Sequence, residues 1–384
     1  MSKRSFGAIA GLAAAGLLLA ACGGSGGDAA SSSAAPTSAA PESSSAEPAP
    51  EPVAAKVGVI LPDAASSARW ETADRPFLEQ AFQAAGVEYD IQNANGDKAK
   101  FATIADQMLA SGINVLMLVN LDSPSAAAVI AKADAQGVPT IDYDRLTLGG
   151  GAQYYVSFDN VAVGTKIGEG LVTCMQNNGN DAGPVVLLNG SPTDNNATLF
   201  KEGYEKVITD AGYTVAADQS VPDWDNTKAG TIFEQIYTEV GGDLIGVASA
   251  NDGLGGAAIA VLERNGVAGT IPVTGQDATD EGLQRVLLGT QCMTVYKAIK
   301  AEAEAASALA VALAKGEIPT ADGLATGSVV DSETGNTVKA VLLEPVSVFP
   351  ENVKDVIADG FTTYDRVCTT DELKKKCEEY GITP

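Results

Sequence analysis

From Lys56 onward, short apolar runs rich in β-branched residues alternate with stretches whose apolar positions recur every three to four residues. Runs at 56–61, 87–92, 114–119 and 138–141 read as strands. The stretches near 71–85, 98–111 and 123–136 read as helices, with Gly86, Gly112 and Gly137 where a left-handed residue ends a helix. Such alternation builds a parallel sheet. A strand near Tyr154–Phe158 ends in Asp159-Asn160, and the alternation then restarts. Helices are predicted near 161–178, 193–211, 227–240, 252–265 and 278–288, and strands near 184–189, 213–217, 244–249, 271–274 and 291–296. An alanine-rich helix from about Lys297 to Lys315 follows, then a strand-like Val338–Leu343 and a short helical tail. Two series of similar size predict two doubly wound α/β lobes rather than one long sheet.

The pattern before Lys56 is different. Lys3 and Arg4 precede an apolar run from Phe6 to Leu19 and a small-residue site, which reads as a signal peptide over residues 1–21, too short to span a membrane. Leu19-Ala20-Ala21-Cys22 resembles a bacterial lipobox, in which Cys22 becomes the lipid-bearing first residue; an ordinary signal peptide with an incidental cysteine is the plainer alternative. Residues 22–54 are Gly, Ser, Ala, Pro and Glu with almost no large apolar side chain, so they cannot bury enough surface to offset their ordering entropy and read as a flexible tether.

Composition narrows the function. With 45% apolar residues, the 384-residue chain has material for two sizeable cores. A net charge of −25 argues against binding nucleic acid through its phosphates. The chain has no histidine, which removes Ser-His-Asp triads, Cys-His pairs and His-ligated metals, while carboxylate chemistry stays open. Besides Cys22, the cysteines are Cys174, Cys292, Cys368 and Cys377, an even number that favours disulfides in an exported protein. Short spacing favours Cys368–Cys377 and leaves Cys174–Cys292, with three pairings open and four free thiols as the alternative.

The polar residues of interest follow predicted strands: Arg69-Trp70, Asn120-Leu121-Asp122, Asp142 to Arg145, Asp194-Asn195-Asn196, Asp223-Trp224-Asp225, Asn251-Asp252, Gln276-Asp277 and Tyr296-Lys297. In open α/β sheets ligands bind beyond the carboxyl ends of strands. Carboxylates and amides accept a hydroxyl proton, and Arg, Lys or Asn donates to its oxygen, so this set suits a small polyhydroxylated molecule. Trp70 and Trp224 offer flat apolar faces to the C–H faces of a sugar ring.

Three other motifs carry less. Gly253-Leu254-Gly255-Gly256-Ala257-Ala258 matches a dinucleotide fingerprint with Ala in third place, but it lies mid-chain and the first strand–helix turn has no glycine. Asn93-Ala94-Asn95-Gly96-Asp97 starts like a calcium loop without the later acidic ligand, so a solvated turn is expected. Asn196-Ala197-Thr198 fits the glycosylation pattern, expected to be silent in a lipobox-bearing chain.

Ser67-Ala68-Arg69-Trp70, Ile141 to Arg145, Ser157 to Asn160, Gly190 to Ala197, Asn251-Asp252-Gly253, Gly275 to Ala278 and Met293 to Lys297 form a collinear series. In these pieces the chain from about Lys56 to Thr363 resembles the periplasmic-type sugar-binding proteins of ABC importers, in the xylose-binding and multiple-monosaccharide-binding branch. The resemblance implies a type I periplasmic binding protein fold: two lobes joined by a three-segment hinge, with crossovers near Phe158–Asn160, Asp277–Tyr296 and Gly327–Val338. The lobes are then expected to comprise residues 55–159 with 297–330, and 160–296 with 331–384. Asp144 and Arg145 become hydroxyl ligands from the first lobe, and Asn195 or Asn196, Asn251 and Asp277 their counterparts. Lys297 is a polar contact at the crossover, Arg69 a hydroxyl donor, and Trp70 and Trp224 enclose the sugar.

The function so implied is a lipid-anchored monosaccharide-binding protein, monomeric and without cofactor or metal, that closes on xylose, glucose or galactose and delivers it to a membrane permease. A sugar-sensing lipoprotein reads from the same features. An exported glycosidase using Asp144 and Asp277 is the enzymatic alternative, against which Arg145 beside Asp144 argues for a permanently ionised acceptor.

Overall fold

The structure, a computed structural model, describes residues 55–319 and 323–384. The signal peptide, Cys22 and the tether expected over 1–54 lie outside the described residues.

The first lobe opens with β1 (Lys56–Leu61), α1 (Arg75–Ala85), β2 (Glu88–Asn93), α2 (Lys98–Ala110), β3 (Val115–Leu118), α3 (Ser123–Asp134), β4 (Thr140–Tyr143) and β5 (Tyr154–Phe158). The second holds α4 (Asn160–Asn177), β6 (Pro184–Asn189), α5 (Asn195–Asp210), β7 (Thr214–Ser220), α6 (Asn226–Val240), β8 (Gly246–Ser249), α7 (Asp252–Arg264), β9 (Thr274–Gln276), α8 (Asp280–Leu288) and β10 (Met293–Tyr296). The helix α9 (Ile299–Ala314) and strands β11 (Gly327–Val330) and β12 (Thr337–Leu343) return to the first lobe. The chain ends on the second with β13 (Val346–Val348), α10 (Val353–Ala358), α11 (Tyr364–Val367) and α12 (Asp371–Glu379).

The first sheet runs β11-β12-β5-β4-β3-β1-β2. The second lobe has β7-β6-β8 and β13-β10-β9, joined by a parallel bridge between Val247 and Val273. Both lobes therefore share the doubly wound order in which the first strand sits inside the second, opening a crevice at the strands' carboxyl ends. β1 and β3 are buried on both faces and read as near-continuous apolar runs for that reason, while the equally buried β4 carries Thr140 and Asp142 among its apolar residues.

Local chemistry explains why helices start where they do. Asp97, Asp122, Asp159, Asp194, Asp225 and Asn251 each sit at an N-cap and accept backbone N–H groups of the first turn. The calcium-like run is thus a turn ending in the Asp97 cap. Gly253, Gly255 and Gly256 serve packing: a Cβ on each would press on Asn226, the Thr274 carbonyl and Arg285 respectively. In the second lobe α4 and α5 cross closely because an added Cβ on Gly164 would run into the Phe200 carbonyl.

The crossovers lie at Phe158–Asn160, Tyr296–Ile299 and Leu343–Val346. The return to the second lobe is therefore later than residue 331. Thr337–Leu343 pairs parallel with β5, placing Val341 opposite Val156, and β11 pairs antiparallel with β12. These strands sit at the sheet's edge, and their pairing is a long-range contact that leaves no mark on local periodicity. The second crossover likewise follows β10, since β10 pairs with β9 and β13 in the second lobe.

Cys174 pairs with Cys292, tying α4 to the chain entering β10, and Cys368 with Cys377, tying α11 to α12. The four are not free thiols.

Asp142, fully buried on β4, accepts the N–H and hydroxyl of Thr147 at 2.6 and 2.7 Å. Burial outweighs these bonds and raises its carboxyl to about 7. A raised carboxyl contributes stability that is present below its unfolded value near 4 and lost as pH rises through 7, a span on the order of 4 kcal/mol. Asp142→Asn should therefore flatten the stability profile between pH 4 and 8; urea midpoints falling equally in both proteins would clear Asp142 of that role.

Candidate functional site

Six loops at the carboxyl ends of strands and one helix start converge between the lobes. The loop after β1 brings Ser66, Ser67, Arg69 and Trp70; that after β4 brings Asp144 and Arg145. The start of α5 contributes Asp194, Asn196 and Phe200, and the loops after β7, β8, β9 and β10 contribute Trp224, Asn251, Gln276 with Asp277, and Lys297. They border about 330 Å3 of atom-free space, part of it open to solvent.

Asp144 is the electrostatic centre. Its Oδ2 accepts from Arg69 Nη1 at 2.9 Å and Lys297 Nζ at 3.0 Å, and its Oδ1 from Asn196 Nδ2 at 3.1 Å. Burial alone would raise this carboxyl; Lys297, Arg69 and Arg145 outweigh it and hold it well below the usual carboxylate range. Its backbone sits at φ 63°, an uncommon conformation for a side-chain-bearing residue. Tyr155, Ser157 and Asn196 all donate to its carbonyl, at 3.0, 2.8 and 2.9 Å, and hold it there.

Arg69 is committed to the protein. Nε and Nη2 grip Asp74 bidentately at 2.9 and 2.8 Å, Nη2 also donates to Glu302 Oε2 at 2.9 Å, and Nη1 donates to Asp144. One of the five guanidinium N–H bonds is left for a ligand, so Arg69 chiefly fixes Asp144. Tyr143 donates to Asp74 at 2.7 Å, completing the cluster. Asp74 and Glu302 were not among the predicted site residues. Glu302 did leave a signal: it is an acid on the stripe Ile299, Ala303, Ala306, Ala310 that α9 buries. Burial and the nearby Asp144 push the Glu302 carboxyl well above its ordinary range.

Contacts cross the cleft directly. Arg145 Nε meets Asp194 Oδ2 at 2.9 Å, Asn196 meets Asp144, and Ser67 Oγ donates to Asp277 Oδ2 at 3.1 Å. Asn251 Nδ2 reaches the Ser66 carbonyl at 3.5 Å, a marginal contact. Burial raises the Asp277 carboxyl, with Lys297 and Arg69 opposing. Asp277 also has a positive φ of 99°, and Gln276 donates to it.

The aromatic walls come one from each lobe. Trp70 packs under Arg69, whose Cζ is 4.3 Å from the ring centroid, and Arg145 approaches to 5.6 Å. Trp224 donates Nε1–H to Asp194 at 3.1 Å and takes an edge contact from Phe200. Its ring lies over Gly190, where an added Cβ would collide with it. Phe200 lacked a sequence signal of its own, being one apolar residue among many on an amphipathic helix.

Nine of the ten predicted ligand residues line this cavity: Arg69, Trp70, Asp144, Arg145, Asn196, Trp224, Asn251, Asp277 and Lys297. Asn195 does not. Adjacent helix positions point about 100° apart, and its side chain faces a separate groove with Val161, Leu199 and Leu342.

Two α/β lobes of like topology, crossed three times by the chain and enclosing a polar cavity, define a solute-binding protein of the type I periplasmic binding protein fold. The chain belongs to the periplasmic binding protein family, whose domain model, described as "Periplasmic binding protein domain", matches residues 57–318. It is 33% identical to the D-xylose-binding periplasmic protein of Escherichia coli over 311 residues, 80% of this chain and 90% of that one. It is 31% identical to the multiple sugar-binding periplasmic receptor ChvE of Rhizobium radiobacter, over 79% of this chain and 89% of that protein. Among solved structures, a carbohydrate transporter solute-binding protein from Chloroflexus aurantiacus in complex with D-glucose superposes with a TM-score of 0.72 at 27% identity, covering 81% of this chain and 97% of that one. These relatives are binding proteins, and the chain is a binding protein rather than an enzyme. Asp144, ionised by three cations, has no proton to donate as a glycosidase acid.

Proposed function

We propose that this protein captures a monosaccharide of the xylose, glucose or galactose type by closure of the two lobes and delivers it to an ABC permease. The observation that carries this reading is the lining of the cavity: carboxylates, amides, an ammonium and guanidinium groups surround it, with an indole from each lobe. Asp144 and Asp277 accept hydroxyl protons, while Lys297 and Asn251 donate, and Asn196, whose two N–H bonds go to Asp144, holds that carboxylate in place. Sugar bound to one lobe gains the contacts of the other only on closing, so it favours the closed form by that difference. Each hydroxyl removed or inverted leaves a buried group unpaired, at about 1–3 kcal/mol. The names of the relatives, which bind D-xylose and several sugars, support the ligand class.

Calorimetry against pentoses and hexoses is expected to give binding heat with at least one aldose, accompanied by a change in tryptophan emission, since Trp70 and Trp224 are the only tryptophans and both line the cavity. No heat with any member of the panel counts against the reading. The lipobox at Leu19–Cys22 supports anchoring on the outer face of the cytoplasmic membrane. Partitioning into a detergent phase should be lost in Cys22→Ala; unchanged partitioning rejects the anchor.

A further inference from the structure

The polar cavity does not end at its rim. A second, larger groove of about 1110 Å3, including its open mouth, adjoins it, and Ser66, Arg145, Asp194 and Trp224 line both spaces. Both lobes build this outer groove, with Asp63, Asn95 and Lys98 on one side and Thr193, Asp223 and Asn226 on the other. Its chemistry repeats that of the inner cavity: carboxylates, amides, hydroxyls and an ammonium, with the Trp224 indole as the shared wall. Carboxylates on both sides disfavour an anionic occupant.

Between the two spaces stand side chains. Arg145 and Asp194, joined by a 2.9 Å ion pair, line both spaces, and Asp194 is also held by Trp224. The backbone at this boundary is unusual: Asp223 and Trp224 take φ of 60° and 55°, which side-chain-bearing residues rarely adopt in succession. That pair of conformations turns the indole inward over Gly190 while leaving the Asp223 carboxylate on the outer wall. Asp223 is paired there with Lys228 at 2.8 Å, and its N–H donates to Ser191 at 3.2 Å.

We propose that the outer groove is a subsite for a second sugar residue, so that the protein takes disaccharides, or other neutral glycosides, as well as monosaccharides. One ring occupies the inner cavity, its glycosidic oxygen lies at the Arg145–Asp194 pair, and the second ring lies between Lys98 and Asn226. The proposal rests on the reading of the inner cavity as a monosaccharide site.

The test is calorimetry with D-xylose and xylobiose, and with D-glucose and cellobiose, on the wild type and on Lys98→Ala and Asn226→Ala. Lys98 is an exposed residue paired with Asp122, and Asn226 is exposed at the start of α6, so neither substitution opens a core. A disaccharide is expected to bind within about tenfold of its monosaccharide. Each substitution should weaken the disaccharide roughly five- to tenfold, the loss of about one hydrogen bond, and leave the monosaccharide unchanged. A monosaccharide that binds while both disaccharides give no heat overturns the subsite and leaves the inner site standing. Disaccharide binding untouched by both substitutions also overturns it, and failure of all four sugars overturns the inner reading with it.

Discussion

Asp144→Ala is expected to reduce sugar affinity by two to four orders of magnitude and to cost about 3–5 kcal/mol of stability. The binding loss follows from charge-assisted hydrogen bonds, each worth about 1.5–3 kcal/mol, that an ionised carboxylate makes to ligand hydroxyls. The stability loss has a separate origin. Asp144 is the one carboxylate within ion-pair distance of Lys297 among the described residues, and both side chains are buried. Removing it leaves the ammonium in a desolvated site, whereas Arg69 keeps Asp74 and Glu302. Asp144→Asn separates the two effects of shape and charge, because Asn tolerates the positive φ better than alanine. Binding by either variant within tenfold of the wild type would remove Asp144 from the site. The lowered carboxyl also has a sign: its stabilisation is present above the usual carboxylate range and is lost only as pH falls through its depressed value. Asp144 should therefore stay charged in mildly acidic surroundings, and sugar affinity should be flat from pH 5 to 8 as far as this group decides it.

Loss of the Cys174–Cys292 bridge is expected to be the largest purely structural effect. The two cysteines are 118 positions apart, so the bridge closes a loop containing nearly the whole second-lobe series from α4 to β10. Chain entropy assigns such a loop about 5 kcal/mol, against about 2.5 kcal/mol for Cys368–Cys377, which spans 9 positions. Paired alanine substitutions, compared by urea unfolding, should reproduce that order. Equal losses from the two pairs would contradict the loop-length argument. Sugar binding should survive both, since neither bridge touches the cavity.

The division between what was legible and what was not follows the range of the forces involved. Strand–helix alternation, glycine helix ends and Asp or Asn helix starts depend on neighbours within a few positions, and each of the predicted elements up to α9 is found within a few residues of its place. Nine of the ten site residues singled out in the sequence line one cavity, because the parallel strands of both lobes turn their carboxyl ends to the same crevice. Some of those residues have a second task that sequence did not assign: Asp194 and Asn251 cap helices as well as line the cavity.

The missed features all depend on contacts between distant positions. Arg69 reaches Asp144 across 75 positions and Glu302 across 233, and only those contacts turn it from a free hydroxyl donor into the clamp of a buried cluster. The pairing of β12 with β5 moved the last crossover, and one step of helix rotation chose Asn196 over Asn195. By itself the sequence determined two α/β lobes and the polar residue types that follow their strands. Tertiary structure decided which of them line the cavity and which pair with each other, because burial and charge pairing are set by neighbours in space.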